Sequence, residues 1–240
     1  MNILAIDIGN TRSKWKLFGG RAAAGVFAGA LPTGGELKAV AIGVDLVACG
    51  SVRNAGFNDS LAMICERSIQ KKPVFLRAHG EFGALKNGYE IPEKLGVDRW
   101  LALVAAWGRI PGELIVVDLG TAVTIDVVNA SGQHQGGYIV PGLQTLVDSL
   151  NKGTGLIDVR AVSAADGLVL GVNTAAAVVD GCAKMLVSFV LAESDKHPGA
   201  KLFITGGGAD ALIEYFPDRA YHLPDLVLEG IFLTAEAELQ

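Results

Sequence analysis

Cysteine is scarce: the 240-residue chain has three, Cys49, Cys65 and Cys182, widely spaced and odd in number. That excludes a disulfide framework or a zinc site with paired spacing, and it fits reduced core thiols in a cytosol. The four histidines are equally scattered, so none is assigned to a metal. Lys and Arg never form a run, and a net charge of −5 with a pI near 5.4 opposes a nucleic-acid surface. Apolar stretches fall short of the about 18 residues that span a bilayer, although mean hydropathy is high at +0.40. Asp7 interrupts the region where a signal peptide would be apolar, so a cytoplasmic location is expected. No Gly-Lys pair and no GxGxxG occur, which excludes the P-loop and dinucleotide-fold ways of holding a nucleotide.

What the chain has instead is glycine, 31 residues of it, in a composition that is 50% hydrophobic and able to bury a sizeable core. The organising stretch is Ile3 to Phe18. Apolar Ile3 to Ile6 reads as a strand covered on both faces. It runs into Asp7, Gly9, Asn10 and Thr11, residues of a tight turn, and then into a second strand ending at Leu17 and Phe18. A carboxylate at a buried strand tip, beside a glycine and small polar groups, can hold a phosphate chain. Gly9 lets backbone N–H groups approach oxyanions, Thr11 and Ser13 offer hydroxyl donors, and Lys14 adds a charge. Asp7 would repel bare phosphate, so its role in such a site is to hold a hydrated cation that the phosphates share. The same residues also suit an ordinary hairpin with an Asx turn.

The pattern occurs twice. Leu114 to Val128 sets Asp118, Gly120 and Thr121 on Asp7, Gly9 and Asn10, at a spacing of 111 residues (118 − 7). A repeat at nearly half the chain implies two lobes of common design, 1–110 and 111–240, rather than a short-period solenoid. Two such hairpins facing each other would grip a nucleoside triphosphate from both sides. In this the chain resembles the superfamily of acetate and sugar kinases, heat-shock chaperone ATPases and actin. The resemblance implies an α/β fold of two related lobes, each a mixed five-stranded sheet with flanking helices, in a ribonuclease H-like, actin-like ATPase duplication.

The rest of the chain reads as mixed α/β. Turns are expected at Gly19-Gly20 and from Gly25 to Gly35 around a short strand, and further strands at Leu46 to Cys49 and Val74 to Leu76. A helix is expected from Asn58 to Ile69 with Asp59 or Ser60 near its start. The loop from Asn87 ends at Gly96, and an almost wholly apolar helix follows with Asp98 at or near its N-cap. Capping alone accounts for an Asp there. The positive end of the helix dipole also favours a carboxylate able to accept a substrate hydroxyl proton, and Arg99 can clamp an acidic substrate through paired donors. The two roles are compatible.

After the second hairpin, Gly136-Gly137 reads as a turn before the strand Tyr138 to Val140. Pro141-Gly142 opens a helix through Leu150, and Asn151 to Gly155 is a loop. Ala164 to Leu170 reads as a short helix or turn, and Asn173 caps a helix from Thr174 to about Leu191. Lys201 to Thr205 is a strand entering Gly206-Gly207-Gly208 and then a helix; the glycines suit either adenine or ribose lying on backbone, or a bare turn. Val227 to Glu238 is a final helix in which Gly230 allows a close approach.

Six motifs in order, D-I-G-N-T-R-S-K (Asp7 to Lys14), N-G-Y (Asn87 to Tyr89), G-V-D-R-W (Gly96 to Trp100), V-V-D-L-G-T-A-V-T (Val116 to Thr124), G-G-Y-I-V-P-G (Gly136 to Gly142) and T-G-G-G-A (Thr205 to Ala209), are similar to those of type III pantothenate kinase, over residues 3 to about 233. The combination is far more specific than any single motif. The resemblance implies phosphorylation of pantothenate to 4'-phosphopantothenate by ATP with Mg²⁺, the first step of coenzyme A synthesis. It implies that ATP is bound by Asp7, Ile8, Gly9, Asn10, Thr11, Arg12, Ser13 and Lys14, and by Thr121. It implies a monovalent cation, K⁺ or NH₄⁺, on Asp118. Pantothenate would meet Tyr89, Gly96, Val97, Asp98 and Arg99, with Asp98 as proton acceptor and Thr174 completing the pocket. A homodimer using the Pro141 to Leu150 region is implied too, with no nucleic-acid or membrane partner. Two rival readings share the fold: a regulatory accessory-factor member of the same family, and another small-molecule kinase of the superfamily. Carboxylates at those strand and helix ends serve no purpose in a pure scaffold, and the Asn87 to Trp100 segment is not shared by the other kinases.

Overall fold

The structure is a computed structural model that describes residues 1–20, 22–160 and 167–238. The chain divides into two compact units, Met1–Ile110 with Asp225–Gln240, and Pro111–Pro224. In the first, β1 (Ile3–Ile8), β2 (Ser13–Phe18), β3 (Ala23–Val26), β4 (Leu46–Ser51) and β5 (Val74–Phe75) form one sheet in the order β3-β2-β1-β4-β5. β2 is antiparallel to β1 and β3, while β4 is parallel to β1 and β5. Helices α1 (Gly34–Val40) and α2 (Ala55–Ile69) connect these strands, and α3 (Val97–Arg109) follows a small hairpin of β6 (Glu81–Phe82) and β7 (Leu85–Lys86).

The second unit repeats the plan. Its strands β8 (Leu114–Leu119), β9 (Ala122–Val128), β10 (His134–Pro141), β11 (Lys201–Thr205) and β12 (Tyr221–His222) are ordered β10-β9-β8-β11-β12 with the same parallel and antiparallel pattern. Helices α4 (Leu143–Gly153) and α5 (Thr174–Lys196) lie between β10 and β11. The α/β duplication read from the two hairpins is therefore present strand for strand. Asp7 and Asp118 occupy the same penultimate position of their strands, each half-buried.

The first strand is apolar from Ile3 to Ile6 because both sheet faces are covered there. Leu4, Ile6 and Ile8 pack with Leu37 of α1 and Leu61 and Cys65 of α2. The opposite face meets α6 (Leu226–Glu238), where Phe18 stacks on Phe232 and Lys16 pairs with Asp225 at 2.9 Å. The terminal helix thus belongs with the first unit and not with the lobe 111–240 anticipated from the repeat. It packs on α3 as well as on β1, β2 and β4, so it needs apolar residues nearly all round. Gly230 sits where α6 crosses α3; a Cβ there would overlap the Leu101 backbone. Gly50 of β4 makes the matching allowance beneath α3, since a Cβ would lie 2.8 Å from Leu101 Cδ1. In the second unit, Ile115, Val117 and Leu119 pack against Ala183, Leu186, Val187 and Val190 of α5. That helix is long and apolar enough, by length and composition, to cross a membrane, and it serves here as the core helix of its unit.

Several boundaries differ from the sequence reading. Residues 34–40 form a helix that overlaps the end of the turns expected up to Gly35 and was not itself anticipated; Thr33 and Glu36 make a capping box, a signal present in T-G-G-E. α2 starts at Ala55, capped by Asn54, three residues before the expected start. Gly136-Gly137 lies inside β10 as an irregularity with Gly136 at φ +105°, not as a turn before it. α4 continues to Gly153, and Asn151 exchanges side-chain hydrogen bonds with the Val159 backbone in place of a loose loop. α5 extends to Lys196, and after the three glycines come two 3-10 turns, Ala209–Ala211 and Ile213–Tyr215, not an α-helix. Of the expected helix or turn over Ala164 to Leu170, residues 164–166 lie outside the described residues and 167–168 form a bend. The three cysteines are free and buried, and desolvation pushes the Cys65 thiol up to about 11, so it stays protonated and unreactive at neutral pH.

Candidate active site

The first turn is closed by Gly9 N–H donating to the Arg12 carbonyl at 3.2 Å, which leaves Asn10, Thr11 and Arg12 exposed at the carboxyl end of β1. Asp7 and Lys14 face one another in register, so the half-buried carboxylate and ammonium stand on the same side of the hairpin. Ser13 departs from the expected role. It pairs with Ile8, faces the core, is fully buried, and its hydroxyl donates to the Ala30 carbonyl. A side chain one position from Lys14 must point to the opposite face of the strand, so the Ser13 hydroxyl is turned away from the Lys14 side. Only backbone atoms of Ser13 remain for a phosphate.

A residue that the sequence reading passed over stands beside this turn. β4 is parallel to β1, and Val52 N–H continues the ladder to the Ile8 carbonyl at 3.3 Å. Arg53 follows, and its Nη1 donates to the Asn10 carbonyl at 3.0 Å while its guanidinium lies 4.7 Å from the centre of the Phe57 ring. The signal for it was positional: ligands of open α/β sheets lie beyond the carboxyl ends of parallel strands.

The substrate-binding residues expected in the first unit are brought together at the head of α3. Asn87 shapes the loop by donating from Nδ2 to the carbonyls of His79 and Pro92, both at 3.1 Å, and by accepting from Tyr89 N–H at 3.0 Å. Tyr89 is thereby placed so that its hydroxyl accepts from Arg99 Nη1 at 2.7 Å, with the guanidinium 5.6 Å from the ring centre. Arg99 is only 6% exposed, so this fork is fixed and largely desolvated. The helix is capped by Gly96, and Asp98 lies near that cap, as expected, as the second helical residue; its Oδ1 accepts from Arg99 N–H at 2.8 Å. A Cβ at Gly96 would come within 2.7 Å of that carboxylate oxygen, so glycine leaves the Asp98 side chain its place. Val97 is the first helical residue and half-buried.

In the second unit the turn is closed by Gly120 N–H donating to the Ala122 carbonyl at 3.0 Å. The exposed Thr121 is held through its carbonyl by two donors that the sequence reading did not single out, Gly142 N–H at 2.9 Å and Thr145 Oγ1 at 2.7 Å. A Cβ on Gly142 would overlap the Gly120 carbonyl, so α4 can begin against the turn only through glycine. Asp118 lies under the glycine triplet: Gly206 has φ +98°, and a side chain there would overlap the Asp118 carboxylate and Leu119 backbone. Gly208 N–H donates to the Leu119 carbonyl at 2.7 Å. Two of the three glycines are thus explained by close packing on β8, and Gly207 alone faces open space. Thr174 is the first residue of α5, exposed, after the Asn173 cap whose Oδ1 accepts from Ala176 N–H at 2.9 Å. It lines a mainly apolar cavity of about 650 Å³ with Leu150, Val172 and Val178.

Among the described residues no cluster of three His, Cys, Asp or Glu could hold a metal ion. The donor set at Asp7 is one half-buried carboxylate, which suits Mg²⁺ taking its other ligands from phosphate oxygens and water.

Two five-stranded sheets of one strand order, each carrying an acidic residue and a glycine turn after its first strand, define the fold class of the sugar kinases and actin-like ATPases. A candidate Baf family transcriptional activator from Campylobacter jejuni has this fold, with a TM-score of 0.62 at 22% identity over 99% of this chain and all of the other. A candidate 2-dehydro-3-deoxygalactonokinase from Sinorhizobium meliloti superposes with a TM-score of 0.60 at 15% identity over 98% and 99%. The family profile of type III pantothenate kinase matches residues 3–193. The type III pantothenate kinase of Marinomonas sp. (strain MWYL1) is 32% identical over 99% of this chain and 96% of its own length, and that of Ectopseudomonas mendocina (strain ymp) is 36% identical over 95% and 97%. The chain belongs to the type III pantothenate kinase family and is a kinase.

Proposed function

We propose that this protein transfers the γ-phosphoryl group of ATP to the primary hydroxyl of pantothenate, giving 4'-phosphopantothenate, and that it does so in the cytoplasm as a homodimer. The observation that carries the reading is the joined set at the head of α3, where a desolvated Arg99 fork held by Tyr89 lies beside the Asp98 carboxylate. Pantothenate is a carboxylate that also bears an alcohol, and this set offers a cation for the first and a base for the second. ATP is assigned to Asp7 through Lys14 and to Thr121, with Ser13 contributing through its backbone, and Thr174 is assigned to pantothenate. Bound Mg²⁺ would neutralise charge on the phosphates. As the pantothenate oxygen bonds to the γ-phosphorus, the bond to the β–γ bridging oxygen breaks and ADP leaves with its electron pair. The hydroxyl proton passes to Asp98.

A coupled assay of the whole protein with pantothenate, ATP, Mg²⁺ and added K⁺ tests the reading, run beside a panel of other small alcohols. Faster turnover of any other alcohol would assign the chain to a different substrate, and no turnover of any would favour a regulatory role. Arg99→Ala is expected to raise KM for pantothenate roughly 10- to 100-fold, the range for one charge-assisted contact, while KM for ATP holds. An unchanged KM for pantothenate would remove the clamp. Asp118 is assigned the monovalent cation, K⁺ or NH₄⁺. Asp118→Ala is expected to leave a rate that no longer responds to K⁺ between zero and saturating concentration, and a surviving response would place the cation elsewhere.

A further inference from the structure

We propose that Arg53 is a phosphate ligand that recognises the terminal phosphate of the bound nucleoside triphosphate. The inference rests on the reading that the Asp7 to Lys14 hairpin holds ATP. Arg53 follows the carboxyl end of β4, one residue beyond the ladder bond from Val52 N–H to the Ile8 carbonyl, so the fold itself delivers it to the tip of the first turn. Two contacts fix the guanidinium there, the Asn10 carbonyl at 3.0 Å and the Phe57 ring at 4.7 Å. A third, Arg53 N–H to Ser51 Oγ at 3.2 Å, fixes its backbone. A guanidinium has five N–H donors in a rigid fork, and one bond to a carbonyl leaves the rest for a planar anion.

The charge around it points the same way. Arg109 and Arg160 are each held by a carboxylate, Glu229 and Asp158, at 2.7 and 2.8 Å. Among the described residues Arg53 has no carboxylate at ion-pair distance, although a carbonyl and an aromatic ring hold its guanidinium. The turn beneath it carries Arg12 and Lys14 against the single carboxylate Asp7, so its formal charge is positive and favours an anion. Of the three phosphates of ATP, the terminal one carries the most charge, and the tip of the turn is the cationic end of this site. Arg53 therefore separates ATP from ADP, holding the substrate nucleotide and releasing the product.

The test measures ATP and ADP affinity by calorimetry without pantothenate, for the wild-type protein, Arg53→Gln and Arg53→Lys. ATP binding is expected to weaken roughly 10- to 100-fold in Arg53→Gln, the range for a hydrogen-bonded charge, while ADP affinity changes by less than about threefold. Arg53→Lys, which keeps the charge and loses the fork, is expected to fall between, and it carries the test should the Gln variant unfold. Equal weakening of ATP and ADP would make Arg53 a brace for the turn only, and no weakening of either would remove it from the site; each overturns the proposal. Wild-type protein that binds ATP but does not phosphorylate pantothenate would sink the substrate assignment alone. An active wild type whose ATP-to-ADP preference survives in both variants would sink the Arg53 assignment alone.

Discussion

Asp98→Asn is expected to lower kcat about 10²- to 10⁴-fold, the usual worth of a positioned general base, with little change in thermal midpoint or in KM for ATP. The asymmetry follows from the geometry. Asp98 is the second residue of α3 and its Oδ1 accepts from the Arg99 N–H; an asparagine keeps an oxygen that can make the same bond and preserve the helix start. What it cannot do is take up a proton from an alcohol. Steady-state kinetics with a melting curve on the same sample decide the matter. A folded variant with near-normal kcat would show that the carboxylate only stabilises the helix terminus. The Gly96 Cβ clearance of 2.7 Å to this oxygen supplies a companion variant, since Gly96→Ala should displace the carboxylate and reduce kcat without removing it.

The second large effect is one of stability. Gly230→Ala is expected to cost about 3 kcal/mol or more, read as a lower denaturant midpoint at unchanged slope. Most overpacking substitutions are relieved by a rotamer change in a neighbour. Here the added methyl would overlap the carbonyl oxygen, carbon and Cα of Leu101, so two helices must separate. Gly230 is buried against Leu101, itself 0% exposed, and the atoms met are backbone, so no side chain can give way. α3 also carries Asp98 and Arg99 within one turn of the crossing at Leu101, so the variant is expected to lose activity in step with stability. A midpoint within about 0.5 kcal/mol of the wild type would mean that the α3–α6 crossing is looser than the structure has it.

Much of this protein is legible without coordinates because the informative residues are local. Two copies of apolar strand, Asp, Gly and small polar residue are enough to read a duplicated α/β chain, and the order of six short motifs is enough to read the family. The head of α3 could be read too, since a loop ending in glycine before an apolar run fixes a helix start. Local reading fails where the partner of a residue is distant. Ser13 looks like a phosphate donor in D-I-G-N-T-R-S-K, and only its cross-strand pairing with Ile8 turns it into the core toward Ala30. Arg53 carries no motif, and only the parallel pairing of β4 with β1 sets it against Asn10. Gly206 looks like a bed for adenine, yet what demands it is the Asp118 carboxylate, 88 residues away (206 − 118).

The amino-acid sequence by itself determined the fold class, the two-fold repeat, the family and the acidic residues placed at strand and helix ends. The repeat and the acidic positions follow from periodicity, turn chemistry and spacing, which act over a few residues at a time, and the fold class and family follow from the resemblance of short local motifs. Tertiary structure alone decided that the last helix closes the first unit, which side chains of the first hairpin face the core, and that a cation from a neighbouring strand stands at the turn. Each of these depends on which surfaces are buried against each other, and burial is a property of elements brought together from far apart in the chain.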